Sequence, residues 1–520
     1  MSVIVTEEEP VSSASGVTPA AVGEAATLIQ SNAAEVAAID RSVRLPVLLF
    51  FGAGLIWLLG GSLLHLLAAI KMHEPRLLSS VAFLTYGRLW PAANDALLYG
   101  WLSTAGLGLA LWLAARLCRA RLRHEGLLTV AWAVWNAGVL LGVLGVLGGN
   151  STSFEWLEFP WYAAVVLLGA YAFISVWMLL MFRARREGNT YASLWYLLAA
   201  LLCFPWLYAT ANFFLLFLPV QASAQAPVNW WFVHGFYGLW LTPLALAAAY
   251  YLVPKVLGRT IHNYPLAVLG FWSWLLFSGW RGGQSLVDGP VPVWMSSVGI
   301  GAAIFTIIPL VAITNNLFGT FRGRGDAWGW SPSLRFTHVG LLCFVAATIS
   351  GILLAIRSIN RVLHFTQMEV AWNYLALYGF VSMILFGAMY YTVPRLAGWD
   401  WPSQNFIRYH FWLCLAGLGT IIFALAMAGI VQGYGLRDPG VPVISTVQMI
   451  NPLLVTRTCG VLLLGAGHLV FAASFVLVLI RARGGQPVTA SDVVGGRRRA
   501  PAVATEEIQP TSATVEHAVG

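Results

Sequence analysis

The sequence predicts an all-α membrane protein of about twelve transmembrane helices, and three observations carry that prediction. Of its 520 residues, 59% are hydrophobic and only 10% are charged, where a soluble domain carries about a quarter charged residues. Apolar stretches of about 20 residues, the length that crosses a bilayer as a helix, recur between positions 46 and 480. These stretches lack the alternation of barrel strands, so helices are the spanning structure that satisfies their backbone.

Taken in order, residues 1–44 carry Glu7-Glu8-Glu9 and an Ala-rich stretch, without the basic start and apolar run of a signal peptide. This segment is expected to be a solvated tail, disordered or partly helical, with a short helix around 27–39. Residues 45–481 form the membrane domain, with spans near 46–70, 93–117, 126–148, 160–182, 192–219, 229–253, 264–280, 291–318, 333–357, 369–393, 406–431 and 456–480. Arg281-Gly282-Gly283 cuts the seventh short. Residues 482–520, rich in Gly, Pro, Ser, Thr and Val, lack the means to bury a core and are expected to be disordered. Their Arg497-Arg498-Arg499 reads as a solvated flank, with attraction to anionic lipid as the lesser reading.

Lys and Arg number 29 against 21 Asp and Glu, a net charge of +8. The excess sits in short loops and the C-terminal tail, which speaks of membrane orientation and not of nucleic acid. Arg119, Arg121 and Arg123, Arg183, Arg185 and Arg186, Lys255 with Arg259, and Arg322 with Arg324 all fall on one side. The positive-inside rule makes that side cytoplasmic and places both termini there. Loop one, with Lys71, Arg76 and Arg88, is the exception. Five cysteines without metal-type spacing read as small packing residues. Tyr-Tyr-x-Val-Pro followed by a cation occurs twice, at positions 250–255 and 390–395, which fits interfacial anchoring or helix termination.

The stretch Trp230 to Lys255, WWFVHGFYGLWLTPLALAAAYYLVPK, holds one histidine, His234, about a turn inside an apolar span. An ionisable side chain there is a functional-site candidate. Together with the twelve spans, this stretch resembles the catalytic subunit (subunit I) of the haem–copper oxidase superfamily, cbb3-type cytochrome c oxidase branch. Tyr86-Gly87-Arg88-Leu89-Trp90-Pro91 is similar to the family's Phe-Gly-Arg-Leu-Arg-Pro, and Leu157-Glu158-Phe159-Pro160 to its Leu-Glu-Trp-Pro. His364-Phe365-Thr366-Gln367 resembles its His-Tyr-Thr-Asp before span ten, and His410-Phe411-Trp412-Leu413 recurs at span eleven. The resemblance covers roughly residues 45 to 480.

The resemblance implies six histidines that hold two haems and a copper. At the low-spin haem positions this chain has Ala93 and Tyr374, and at the high-spin haem position it has Trp372. At the copper pair it has Gln284 and Ser285, at the redox-active tyrosine Ser278, and at a glutamate of the proton path Ser350. His234 is the one copper-ligand position retained, and one imidazole does not make a haem or copper site. His65, His468, His338 and His410 lie in or near apolar segments and read as hydrogen-bonded interhelical residues.

The first functional reading is therefore a haem- and copper-free, non-catalytic relative in which Trp372 and Tyr374 fill vacated space. It acts as a scaffold with other membrane subunits, such as c-type cytochrome subunits or a catalytic paralogue, in a bacterial inner membrane. The second is a divergent oxygen or nitric oxide reductase that keeps haem b and copper through other ligands. The third is a transporter reusing the cavity, with Asp95 and Glu369 as its acids, although both stand near span ends where solvation is the ordinary explanation.

Overall fold

The computed structural model describes residues 19–484 apart from positions 187 and 189, so residues 1–18 and positions 485–520 of the expected C-terminal tail lie outside the described residues, while 482–484 continue the last helix. Among the described residues the chain forms a bundle of twelve long helices. They are α1 (Pro19–His73), α2 (Tyr86–Cys118), α3 (Glu125–Gly148), α4 (Trp161–Arg183), α5 (Ala192–Phe217) and α6 (Ala222–Leu257). The second half comprises α7 (Tyr264–Gly279), α8 (Val293–Phe321), α9 (Pro332–Ala355), α10 (Gln367–Ala397), α11 (Gln404–Gly435) and α12 (Val443–Gly484).

Eleven of them are long and apolar enough to cross a bilayer. The exception is α7, whose 16 residues extend only about 24 Å, short of a hydrocarbon core of about 30 Å. After it the backbone turns at Gly282, φ 115°, into a 3₁₀ turn at Gly283–Leu286. The break expected at Arg281-Gly282-Gly283 is therefore real.

Helices α2, α6 and α10 form the interior. Their most apolar stretches are 100%, 94% and 100% buried, against 39–44% in the other spanning helices. Each departs from α geometry partway along, through π-helical turns at Ala96–Ser103, Phe236–Leu241 and Tyr374–Ser382. Such turns recur at functional sites because they re-aim the side chains that follow. Small residues let these helices approach closely; a Cβ on Gly106 of α2 would fall 2.4 Å from Cδ2 of Leu244 on α6. The outer helices instead expose large apolar side chains such as Leu63, Trp161, Trp272 and Phe423, the composition of a lipid-facing surface.

Two expectations are corrected here. No separate short helix occupies 27–39, because α1 runs unbroken from Pro19, with Ile39, Val43 and Val47 buried. The end of α2 and the basic loops hold this segment down. Arg116 donates to Asp40 at 2.9 Å, and Glu35 accepts from Arg119 at 2.5 Å and Arg186 at 3.1 Å.

The repeated Tyr-Tyr pairs are not interfacial anchors. Tyr250, Tyr390 and Tyr391 are buried, and Tyr251 and Tyr391 both pack edge-on against Trp112, at 5.3 and 5.9 Å. Interior helices end against protein, not headgroups. The termination reading is met, because the helices carrying Pro254 and Pro394 end at Gly258 and Gly398 in the left-handed region.

Candidate functional site

At the end of the bundle opposite the basic loops, α6, α9 and α10 diverge around a chamber of about 290 Å³. Its walls include Trp90, Glu155, Trp230, His234, Arg281, Gln284, Ser285, Glu369 and Trp372. The 150s loop, the α7–α8 connection and a short helix at Arg357–Leu363 complete it.

Inside the chamber His234 is hydrogen-bonded, not bare. Its Nε2 lies 3.1 Å from Ser285 Oγ, and Gln284 Nε2 lies 3.2 and 3.3 Å from the two ring nitrogens. The amide N–H of Gly282 donates to Gln284 Oε1 at 2.7 Å, which fixes the amide's orientation. An amide nitrogen donates only, so it needs an acceptor nitrogen on a neutral imidazole. The three positions that the resemblance assigns to copper thus meet as a hydrogen-bonded cluster.

Trp372 stands across the chamber. Its Nε1 donates to the Ala347 carbonyl at 2.8 Å, and its ring meets Tyr237 edge-on at 5.2 Å. Ser278 is buried with no partner for its hydroxyl, whereas Ser350 Oγ donates back to Ala346 O at 2.7 Å.

Between α1, α2 and α10, around Ala93 and Tyr374, the interior is nearly closed. A void of about 20 Å³ remains, bordered by His65, Trp90, Asn94, Tyr374 and Tyr378, room for about one water. His65 fills this space. Its Nδ1 lies 3.0 Å from Gly61 O and its Nε2 3.2 Å from Asn94 Oδ1, with Tyr374 edge-on at 6.1 Å. His468 Nδ1 meets Ser62 Oγ at 2.7 Å and stacks on Tyr378. His410 Nδ1 lies 2.8 Å from the Tyr390 hydroxyl. His338 instead sits in a box of Phe318, Phe321 and Trp328 with its Nδ1 unpartnered.

Asp95 corrects another expectation. It is not solvated at a span end: it is fully buried, with its carboxyl against that of Glu158. α2 starts at Tyr86, so Asp95 lies more than two turns inside it, beneath the folded 150s loop. Glu158 of that loop is buried beside it, and burial, then the Asp95 and Glu155 carboxyls, push its own well above the usual range. Glu155, at the chamber wall, is pushed up to about 7 by burial and then by Glu369. Glu369 itself accepts from His364 Nδ1 and from the Phe365 amide.

Sequence reading missed Arg281, Glu155 and Asn94 as members of these sites, and Arg457 beside them. Arg281 was legible as a cation closing an apolar run, which is rare at membrane depth. The contact of Asn94 with His65 joins two helices and left no mark in spacing. Among the described residues no three His, Cys, Asp or Glu side chains converge as a metal-ligand set. The nitrogens needed to hold a haem from both faces are not offered by Ala93, Tyr374 or Trp372, so the residues at these positions do not fit the group.

Comparisons with known proteins agree on the fold and ancestry. Residues 45–463 match the family model described as cytochrome c and quinol oxidase polypeptide I. A "cytochrome c oxidase subunit 1 homolog" of Azorhizobium caulinodans is 27% identical over 447 residues, covering 82% of this chain and 80% of the relative. The "Cbb3-type cytochrome c oxidase subunit CcoN1" of Stutzerimonas stutzeri is 26% identical, covering 80% and 91%. A solved haem–copper terminal oxidase dimer superposes with a TM-score of 0.71 at 15% identity over 86% of each chain, a likeness of fold.

Proposed function

Because the chain belongs to the cytochrome c and quinol oxidase polypeptide I family, the subunit I of haem–copper oxidases, we propose that it is a non-catalytic member of it. It is an integral membrane, subunit I-like protein of a family that normally binds haem and copper and works with other membrane subunits. In our reading this chain carries neither cofactor. It serves as a scaffold or partner subunit of a respiratory-type complex in a bacterial inner membrane, with both termini cytoplasmic. Its partners are c-type cytochrome subunits or a catalytic paralogue.

One observation carries the reading: His234 spends its hydrogen-bonding capacity on Ser285 and Gln284, the two positions where the family has further copper ligands. The near-closed space around Ala93 and Tyr374 supports it from the other side, since close-packed interiors leave no room for a large planar group. Domain limits at 45 and 481 belong to the same proposal.

The test is a pyridine haemochrome spectrum with copper analysis on the purified protein. The expected result is far less than one haem and one copper per chain. Stoichiometric haem b would overturn the reading in favour of an active reductase.

A further inference from the structure

Arg281 is 5% exposed, lines the chamber beside His234, and has no counter-ion among the described residues. Its Nε is buried without a hydrogen-bond partner. A buried, unpaired guanidinium is costly, so such cations in membrane proteins face a partner or a cavity. The chamber's own acids do not serve. Glu369 is engaged by His364 and the Phe365 amide. Glu155 is raised by burial and by Glu369, and no ion pair joins it to Arg281 among the described residues. The chamber therefore carries a cation on one wall and its carboxyls elsewhere.

The surroundings of Arg281 are shaped to keep its fork open. Gly351 leaves the room, because a Cβ there would come 3.2 Å from Trp372 Nε1 and 3.4 Å from Arg281 Nη2. Gln284 and Ser285 are engaged with His234, and the lining mixes apolar Trp90, Trp230, Val233 and Leu354 with polar Asn360, Thr366 and Asn373. A volume of 290 Å³ is at the lower end of small-ligand sites, about 300 Å³. A planar guanidinium matches a planar two-oxygen anion through paired hydrogen bonds.

We propose that this chamber binds a short-chain monocarboxylate, its carboxylate on Arg281 and its tail against the tryptophan wall. The site goes beyond the scaffold reading and does not require it.

The test uses the full chain in detergent or nanodiscs, with acetate and butyrate as probes and acetamide and butyramide as neutral counterparts, at constant ionic strength with chloride. Tryptophan fluorescence reports binding, because Trp90, Trp156, Trp230 and Trp372 line the chamber, and the melting temperature gives a second readout. The expected result is saturable binding of the carboxylates, absent for the amides, and weakened about tenfold to a hundredfold in Arg281→Gln. Arg281→Lys, which keeps charge but not the fork, should fall between. No saturable response in the wild-type protein, equal responses to acids and amides, or unchanged affinity in either variant would overturn the proposal. If Arg281→Gln does not fold, the acid-against-amide comparison on the wild type decides alone. Porphyrin in the preparation would count against the scaffold reading only, because the titration is scored by the Arg281 variants.

Discussion

The guanidinium of Arg457 lies over the indole of Trp90, 5.2 Å from the ring centroid. Arg457 is 1% exposed, and its Nε and Nη2 have no hydrogen-bond partner among the described residues, so the ring face is a contact that this buried cation relies on. Trp90 also borders both the chamber and the closed void beside it. One side chain therefore seals two spaces and solvates a charge.

That arrangement makes Trp90 intolerant of the arginine found in the related family motif. Trp90→Arg should set two guanidinium groups together and remove a cation–π contact worth about 2 kcal/mol when desolvated. A melting temperature several degrees lower is expected in detergent, with Trp90→Phe affected less. Equal melting of Trp90→Arg and wild type would show that Arg457 does not need the ring.

Gly282 should be equally restrictive for a backbone reason. At φ 115° a side chain is strained, and a Cβ would stand 2.8 Å from the Trp230 carbonyl carbon and oxygen. Gly282→Ala is expected to cost about 1–3 kcal/mol and to disturb Gln284, which accepts from the Gly282 amide. Unfolding midpoints and the fluorescence of the chamber tryptophans would report both effects.

Glu155 predicts a pH dependence whose sign follows from its raised carboxyl. Its value rises from 4.5 to about 7 on folding, so the folded state holds the proton more tightly. The stabilising contribution is complete below pH 4.5 and is lost as pH rises through about 7. Melting temperatures of wild type and Glu155→Gln should diverge over this window, the variant gaining on the order of 3 kcal/mol by pH 8. A constant difference from acid to alkaline pH would contradict the shift.

Asp95 is expected to be replaceable by asparagine at no loss. Its carboxyl is buried against that of Glu158, and two neighbouring buried carboxyls cannot both carry charge. Asp95→Asn should leave the melting temperature unchanged or raise it, by up to about 2 kcal/mol in stability. A marked loss of stability would mean that the carboxyl itself is held by a bound group.

Much of the architecture was legible in the sequence because membrane spans are written as length and apolarity. The twelve segments, the break at Arg281 and the surviving His234 could all be read from residue order alone. Depth was not legible. Asp95 looked solvated because the start of α2 was read seven residues late, and the covering loop is a tertiary fact. The Tyr-Tyr repeats looked interfacial because the sequence does not say which helices end against protein. Arg281 was visible as punctuation but not as a wall of the chamber, since its neighbours Trp372 and Gly351 come from helices α10 and α9.

The filling of the space between α1, α2 and α10 by His65, Tyr374 and Tyr378 bears on how such a chain matures. A protein that completes its interior only with a prosthetic group has a stability tied to the supply of that group. Here three helices meet through their own side chains. Under the scaffold reading, insertion and folding can finish before any porphyrin is delivered, and the amount of folded subunit follows synthesis rather than iron.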